Sequence, residues 1–284
     1  YDGGKWEKYH YHQYDDINQE DWTNEWEGMY GGIGQCNLVL DDLSQLNPSK
    51  FNLSDSEFDS FKAQLRCMRA YCYLRLLNSY RNCILTTTSD QAVNEQPENR
   101  KQVSPQVMFD FIESELRDVC LVALPSKIGQ SGNGGQQGQF TKAGAAALLV
   151  RLYLNAEKWI GQPKWQECID MCERITGGEF GYYAIADNWY EPFDWNNEMC
   201  NEVILGFPGS YGLTSWHLKN DKRTVYGRAL PYGCEKYLKI EGDGSRNPKY
   251  ALSPSYNNQQ PRALFDYELG MVTQKFAKYA GDKR

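Results

Sequence analysis

Between residues 21 and 46 the apolar positions Trp22, Trp26, Met29 or Tyr30, Ile33, Cys36, Leu40 and Leu43 recur every three or four residues, the spacing of a helix that buries one stripe. Pro48 ends that run. Ser54-Asp-Ser-Glu57 then has the form of a capping box, in which the hydroxyl reaches the amide of the third helical residue and the glutamate reaches back. The second helix has Phe58, Phe61, Leu65, Met68, Cys72 and Leu76 as its stripe, and Tyr71, Leu74 and Leu77 widen it, so burial on more than one side is expected. Residues 86–101, rich in Thr, Asn and Gln, read as a connection. Ser104-Pro105 supplies an N-cap and a first-turn proline for a third helix, which buries Val107, Met108, Phe111, Ile112, Leu116 and Val119 and stops at Leu124-Pro125. Residues 129–138, nearly all Gly, Gln, Ser and Asn, predict a loop. Thr141 caps a fourth helix running through Asn155, whose small residues at 143–147 let a neighbouring helix approach closely. Trp165, Cys168, Ile169, Cys172 and Ile175 form the stripe of a fifth, which Gly177-Gly178 terminates.

Five helices joined by connections of varied length predict a mainly α fold built of tetratricopeptide-like helical hairpins, although no strict repeat of about 34 residues recurs. From residue 179 the pattern changes. Gly, Pro, Asn and aromatic residues dominate, helical periodicity fades, and only 201–207 and 270–276 read as short strands. Twelve of the 53 residues from 180 to 232 are aromatic, against 27 of the other 231, so the aromatic excess sits in loops. Loops run over the surface and carry function disproportionately, which favours a binding face there.

Composition narrows the function. A net charge of -7 without Lys/Arg runs argues against nucleic acid, whose binding needs clustered cations. No apolar stretch approaches the roughly 18 residues that span a bilayer. Aromatic residues make up 14% of the chain, with 20 Tyr and 8 Trp but only 3 His; Tyr and Trp pair a flat apolar face with a polar tip and suit flat or sugar-like ligands as well as cores. The nine cysteines contain no paired C-x-x-C and read as mostly free, buried thiols. Cys168 and Cys172 share a helix face, yet nothing nearby completes a zinc set.

Four segments stand out together: Trp26-x-x-x-Tyr30-x-x-Ile33-x-x-Cys36-Asn37; Ala63 through Met68-Arg69-Ala70-Tyr71-Cys72-Tyr73 to Leu77-x-x-Tyr80; Phe140-Thr141-Lys142-x-x-Ala145-Ala146 through Leu149 to Leu154-Asn155-Ala156; and the Trp165 helix with Gly178-x-Phe180, the 188–193 loop and Asn201-Glu202-Val203-Ile204. In order and spacing they resemble the SusD/RagB-like outer-membrane lipoproteins of Bacteroidetes. Two departures stand out. Where the family has a Tyr-Gly-Gly-Val-Pro-Leu-like turn, this chain reads Tyr80-Arg-Asn-Cys-Ile-Leu85, so the turn's backbone is expected to differ. The chain also stops before the family's C-terminal helical segment and begins without a signal peptide or lipidated Cys, so it reads as a fragment. The resemblance implies a single domain, with helical hairpins over 1–178 and a loop-rich ligand-binding region, incomplete at its C-terminus, over 179–284. It further implies a lipid-anchored protein on the extracellular face of the outer membrane. Such a protein captures glycan, or in some members peptide, without catalysis, and passes it to a SusC-like TonB-dependent barrel.

The resemblance places the ligand face in two windows, 6–24 and 211–232. In the first, Trp6, Tyr9, Tyr11, Tyr14, Trp22 and Asn24 either bind ligand or pack the chain's entry into the bundle; Trp22 is favoured because Trp26, one turn on, already fills a core position. In the second, Tyr211, Trp216, Tyr226 and Tyr232, beside Arg223 and Arg228, either bind ligand, meet the partner barrel or pack locally. Trp189 and Trp195 read as structural. His10 and His12 alternate about Tyr11 as on a solvated strand, and no metal is assigned to them. Residues 241–247 (Glu-Gly-Asp-Gly-Ser-Arg-Asn) read as a Gly-rich turn, with calcium left open because family members sometimes hold a cation. No other cofactor is expected. Two competing functions are an all-α glycoside hydrolase, needing a carboxylate pair across a glycosidic bond, and a helical scaffold for protein partners. One stacking contact contributes about 1 kcal/mol, so a single site is expected to bind glycan in the micromolar to millimolar range.

Overall fold

The computed structural model describes residues 11, 20–94, 96, 100–127, 138–189, 191–193 and 197–207. The chain divides into two units, Glu20–Pro208 and a second formed by Tyr1–Gln19 with Gly209–Arg284. Only Tyr11 of the second is described. The expected loop at 129–138 (apart from Gly138), the strand at 270–276, the turn at 241–247, His10, His12 and Trp195 lie outside the described residues.

Helix α1 (Glu20–Ser44) and helix α2 (Asp55–Tyr80) run antiparallel, so that Glu25 meets Arg75, Trp26 meets Tyr80 and Asn37 meets Arg69. The capping box at the start of α2 forms as expected: Ser54 Oγ accepts the Glu57 N–H at 3.3 Å and Glu57 accepts the Ser54 N–H at 2.9 Å. Phe58, Cys72, Leu74, Leu76 and Leu77 are buried as expected, but Ala63, Cys67 and Ala70 also lie inside, whereas Phe61 is 52% exposed, because the helices crossing α2 come close where its side chains are small.

After α2, strand β1 (Cys83–Ile84) pairs antiparallel with β2 (Gln102–Val103), Cys83 opposite Val103. The stretch between them, expected as a connection, contains a short helix α3 (Ser89–Asn94). Two tyrosines hold the strand from the helical side. The Tyr30 hydroxyl donates to the Ile84 carbonyl at 2.8 Å and accepts its N–H at 2.7 Å; the Tyr73 hydroxyl does the same for Thr86, at 2.7 and 2.9 Å. Alternate residues of an extended segment thus find partners without a further strand. Burial pushes both phenols above their ordinary pKa.

The third expected helix begins as α4 (Pro105–Ser114), capped by Ser104, then widens into one π-helical stretch, Glu115–Cys120, before a last α turn, α5 (Leu121–Ala123). Leu116 is buried as expected, but the wider turn shifts the inward phase beyond it, so Cys120 and Leu124 are buried where Val119 was expected; at the other end Phe109 is buried and Val107 is exposed.

Thr141 caps α6 (Lys142–Leu154), accepting the Gly144 N–H at 3.2 Å, and Ala143, Gly144, Ala145 and Ala146 are all buried against neighbours as their size allows. A short α7 (Ala156–Ile160) leads to α8 (Trp165–Thr176), which packs on α6. Helix α8 buries Cys168, Met171 and Ile175, while Trp165, Ile169 and Cys172, three members of the expected stripe, are exposed. Helix α6, its main packing partner among the described residues, covers the narrower 168–171–175 seam. Gly178, at φ +81°, ends the helix, with the Glu179 N–H returning to Arg174 at 3.1 Å.

Residues 201–207 form no strand, contrary to the pattern. Side chains take the ladder's place: Glu202 accepts the Ala186 N–H at 3.0 Å, and Lys127 Nζ donates to the Tyr182 carbonyl and to Asn201 Oδ1 at 2.7 and 3.0 Å. The result is a mainly α, tetratricopeptide-like array with an irregular 179–207 segment laid against it. The eight described cysteines are free, and among the described residues no helix is long and apolar enough to cross a membrane.

Candidate functional site

The first turns of α1 carry the part of the expected ligand face that the structure describes. Asn24 is exposed on this helix, and Trp22 is part of it, its side chain lying outside the described residues. Trp26, one turn further, packs inward with its ring centroid 4.7 Å from Tyr30 and 5.0 Å, edge-on, from Tyr80, the core position assigned to it above. Tyr11 is exposed in a turn of the second unit. Tyr14, Tyr211, Trp216, Arg223 and Tyr226 lie outside the described residues.

Beside Asn24, Glu25 receives Arg75 of α2 through Nε and Nη2, and Tyr71 lies one helical turn before Arg75 on the same helix. The Glu25 carboxylate holds the Arg75 pKa above its ordinary value. Tyr71 in turn stacks at 5.2 Å on Phe207, which reaches α2 from the irregular segment. The sequence patterns gave no sign of this grouping of Glu25, Tyr71, Arg75 and Phe207, because the four residues come from three separate stretches of the chain.

Deeper inside, Arg69 occupies the junction of α1, α2 and the π-helical turn. It donates to Asn37 Oδ1 at 2.7 Å, the Thr87 carbonyl at 3.0 Å and Glu115 Oε2 at 2.8 Å, and lies over the Phe111 ring. Glu115 also binds Arg66, whose pKa it raises. Arg69 and Glu115 are buried while Arg66 reaches the surface, and the cluster locks the helices together; Arg69 Nε is left without a hydrogen-bond partner.

The 179–207 segment is tied down by Lys127. Its N–H donates to the Phe180 carbonyl at 2.9 Å, and its ammonium lies 4.4 Å above the Tyr183 ring; burial lowers its pKa. Gly181 at φ +121° lies against it, where an added Cβ would come within 2.5 Å of the lysine Cβ, so only glycine fits. From this anchored segment Tyr182 and Trp189 present half-exposed rings, so Trp189, expected as structural, leaves ring surface open. An open depression of about 540 Å³ at the end of α8 is lined by Asp170, Glu173, Arg174, Gly177, Gly178 and Glu179. It has no ring to stack on, and Arg174 is already paired with Glu179 at 2.7 Å. Among the described residues no three His, Cys, Asp or Glu side chains converge to hold a metal.

Residues 3–154 match the SusD-like family model described as "Starch-binding associating with outer membrane". The chain belongs to the SusD-like family. A laminarin-binding SusD-like protein superposes with a TM-score of 0.52 at 26% identity, over 64% of this chain and 36% of its own. A structure solved with a xylogluco-oligosaccharide superposes at 0.58 and 20% identity, over 78% and 41%. Surface glycan-binding protein A from Bacteroides uniformis superposes at 0.51 and 19%, over 64% and 37%. The last two likenesses show the SusD-like fold. Among curated proteins none matches. The chain spans about a third of the length of the SusD-like structures it matches.

Proposed function

We propose that this chain is the glycan-capturing part of a cell-surface SusD-like lipoprotein, which binds oligosaccharide or polysaccharide by ring stacking and passes it to a TonB-dependent outer-membrane transporter. The observation that carries this reading is the family match over residues 3–154, supported by a laminarin-binding relative at 26% identity. The physics agrees with it: a helical body closed by its own hydrogen bonds leaves flat rings on irregular segments, where they gain area from a sugar's C–H face. The protein binds without cutting. Trp22 and Asn24 at the start of α1, with Tyr11, Tyr14, Tyr211, Trp216, Arg223 and Tyr226, remain the proposed contacts.

Retardation of the chain in native gels cast with laminarin, xyloglucan or starch tests the reading. Trp22→Ala or Trp216→Ala is expected to abolish the retardation. Unchanged mobility shifts in both variants would reject these windows as the ligand face.

A further inference from the structure

We propose that the Tyr71–Phe207 ring pair, with Arg75 and Glu25 beside it, is a contact subsite for a neutral pyranose ring on the helical body of this chain, an inference that rests on the glycan-binding reading above.

Phe207 leaves 57% of its surface open although it is a large apolar side chain. It is nevertheless held. Its ring lies 5.2 Å from Tyr71 at 45° and 6.3 Å from Phe140, edge-on at 80°. Phe140 is buried, and the Gln64 side chain fixes its backbone, donating to the Phe140 carbonyl at 2.8 Å and accepting its N–H at 2.7 Å. Tyr71 stands on α2, in the interior of a 26-residue helix. A ring fixed from beneath and uncovered above needs no further ordering when a ligand stacks on it, the condition under which stacking contributes most. Phe61 and Trp165 are about as exposed, but among the described residues neither has a ring partner such as Tyr71 or Phe140.

The polar flank matches the ring. Arg75, 44% exposed at its side chain, pairs with Glu25 of α1 and follows Tyr71 by one turn of α2, setting a planar donor and a carboxylate acceptor about one helical turn from a phenol. Such a set bonds neighbouring sugar hydroxyls, which both donate and accept. The guanidinium and the carboxylate cancel in charge, so the subsite favours a neutral sugar over a uronic acid or a phosphate. Three separate stretches of chain converge here, giving a contact area one stacked ring wide.

The test is calorimetric titration of the full chain with laminarin and xyloglucan oligosaccharides, followed by the same titration of Phe207→Ala and Phe207→Trp. Phe207→Ala is expected to weaken binding about fivefold at unchanged melting temperature, as loss of one stacking contact predicts. Phe207→Trp is expected to bind at least as tightly and to show additional indole quenching on sugar addition, which keeps the test valid should the alanine variant fold poorly. If wild type binds neutral glycan while folded Phe207→Ala binds equally well, or if Phe207→Trp shows no added quenching, the subsite is wrong and the glycan reading stands. If wild type binds no glycan of the panel, the glycan reading fails and the subsite falls with it.

Discussion

Arg81 follows α2 with φ +63° and ψ -59°, and across it the Asn82 N–H bonds the Tyr80 carbonyl at 2.7 Å, closing a three-residue γ-turn of the strained hand. This is the position where the family's turn has glycine and the present sequence does not, so a side chain occupies a backbone conformation suited to glycine. Strain at such a residue costs about 1–3 kcal/mol, and glycine would return up to about 1 kcal/mol in unfolded-state freedom. Arg81→Gly is therefore expected to stabilise the chain by about 1 kcal/mol in urea denaturation, and Arg81→Ala to give no gain. Glu115 shows the opposite case. Removing it as Glu115→Ala leaves Arg69 buried without its carboxylate, with an expected loss of about 3–5 kcal/mol. Arg66→Ala leaves the Arg69–Glu115 pair intact and is expected to cost about 1 kcal/mol. The capping box and the Thr141 cap were legible from sequence because each depends on neighbours a few residues away, and the inward Trp26 because it falls on the apolar period of α1. The Arg69 cluster was not, because Asn37 and Glu115 lie 32 and 46 residues from it.

At the scale of elements, helix α1 carries glycines at 28, 31, 32 and 34, each of which weakens a helix interior. An added Cβ at Gly28, Gly31 or Gly34 meets no atom within 4 Å, whereas at Gly32 it meets Cys72 Sγ at 3.2 Å. Packing against α2 thus explains Gly32 alone; nothing in the structure explains the other three. Alanine at any of those three is expected to raise stability by about 0.5–1 kcal/mol in thermal or urea unfolding, and Gly32→Ala to give less. The existence and order of the five main helices were readable from spacing. Their inner faces were less so: the π-helical turn at Glu115–Cys120 shifts the buried phase, and small residues on α2 draw partners to a face that the large apolar residues did not mark. The strand read at 201–207 failed for a related reason. Alternating Val203 and Leu205 suit a ladder, but Lys127 and Glu202 satisfy the local backbone first.

At the scale of the whole molecule, the described unit is a helical scaffold held by a buried Asn37–Arg69–Glu115 cluster, with rings left open at its irregular edge. Family membership was legible because four separated segments keep one order and spacing, each with a packing reason: Trp26, Asn37, Arg69 and the Ala143–Ala146 run all contact neighbouring elements. The Tyr71–Phe207 pairing was not, since only the folded chain joins α2 to the segment after 200. The account rests on a carbohydrate being held and left intact. The most direct measurement incubates the chain with laminarin oligosaccharides at saturating concentration and follows both heat of binding and the sugar recovered afterwards. Saturable binding with the oligosaccharide returned at its original length is the predicted result. New reducing ends accumulating in proportion to protein, or no heat with any neutral glycan, would contradict it.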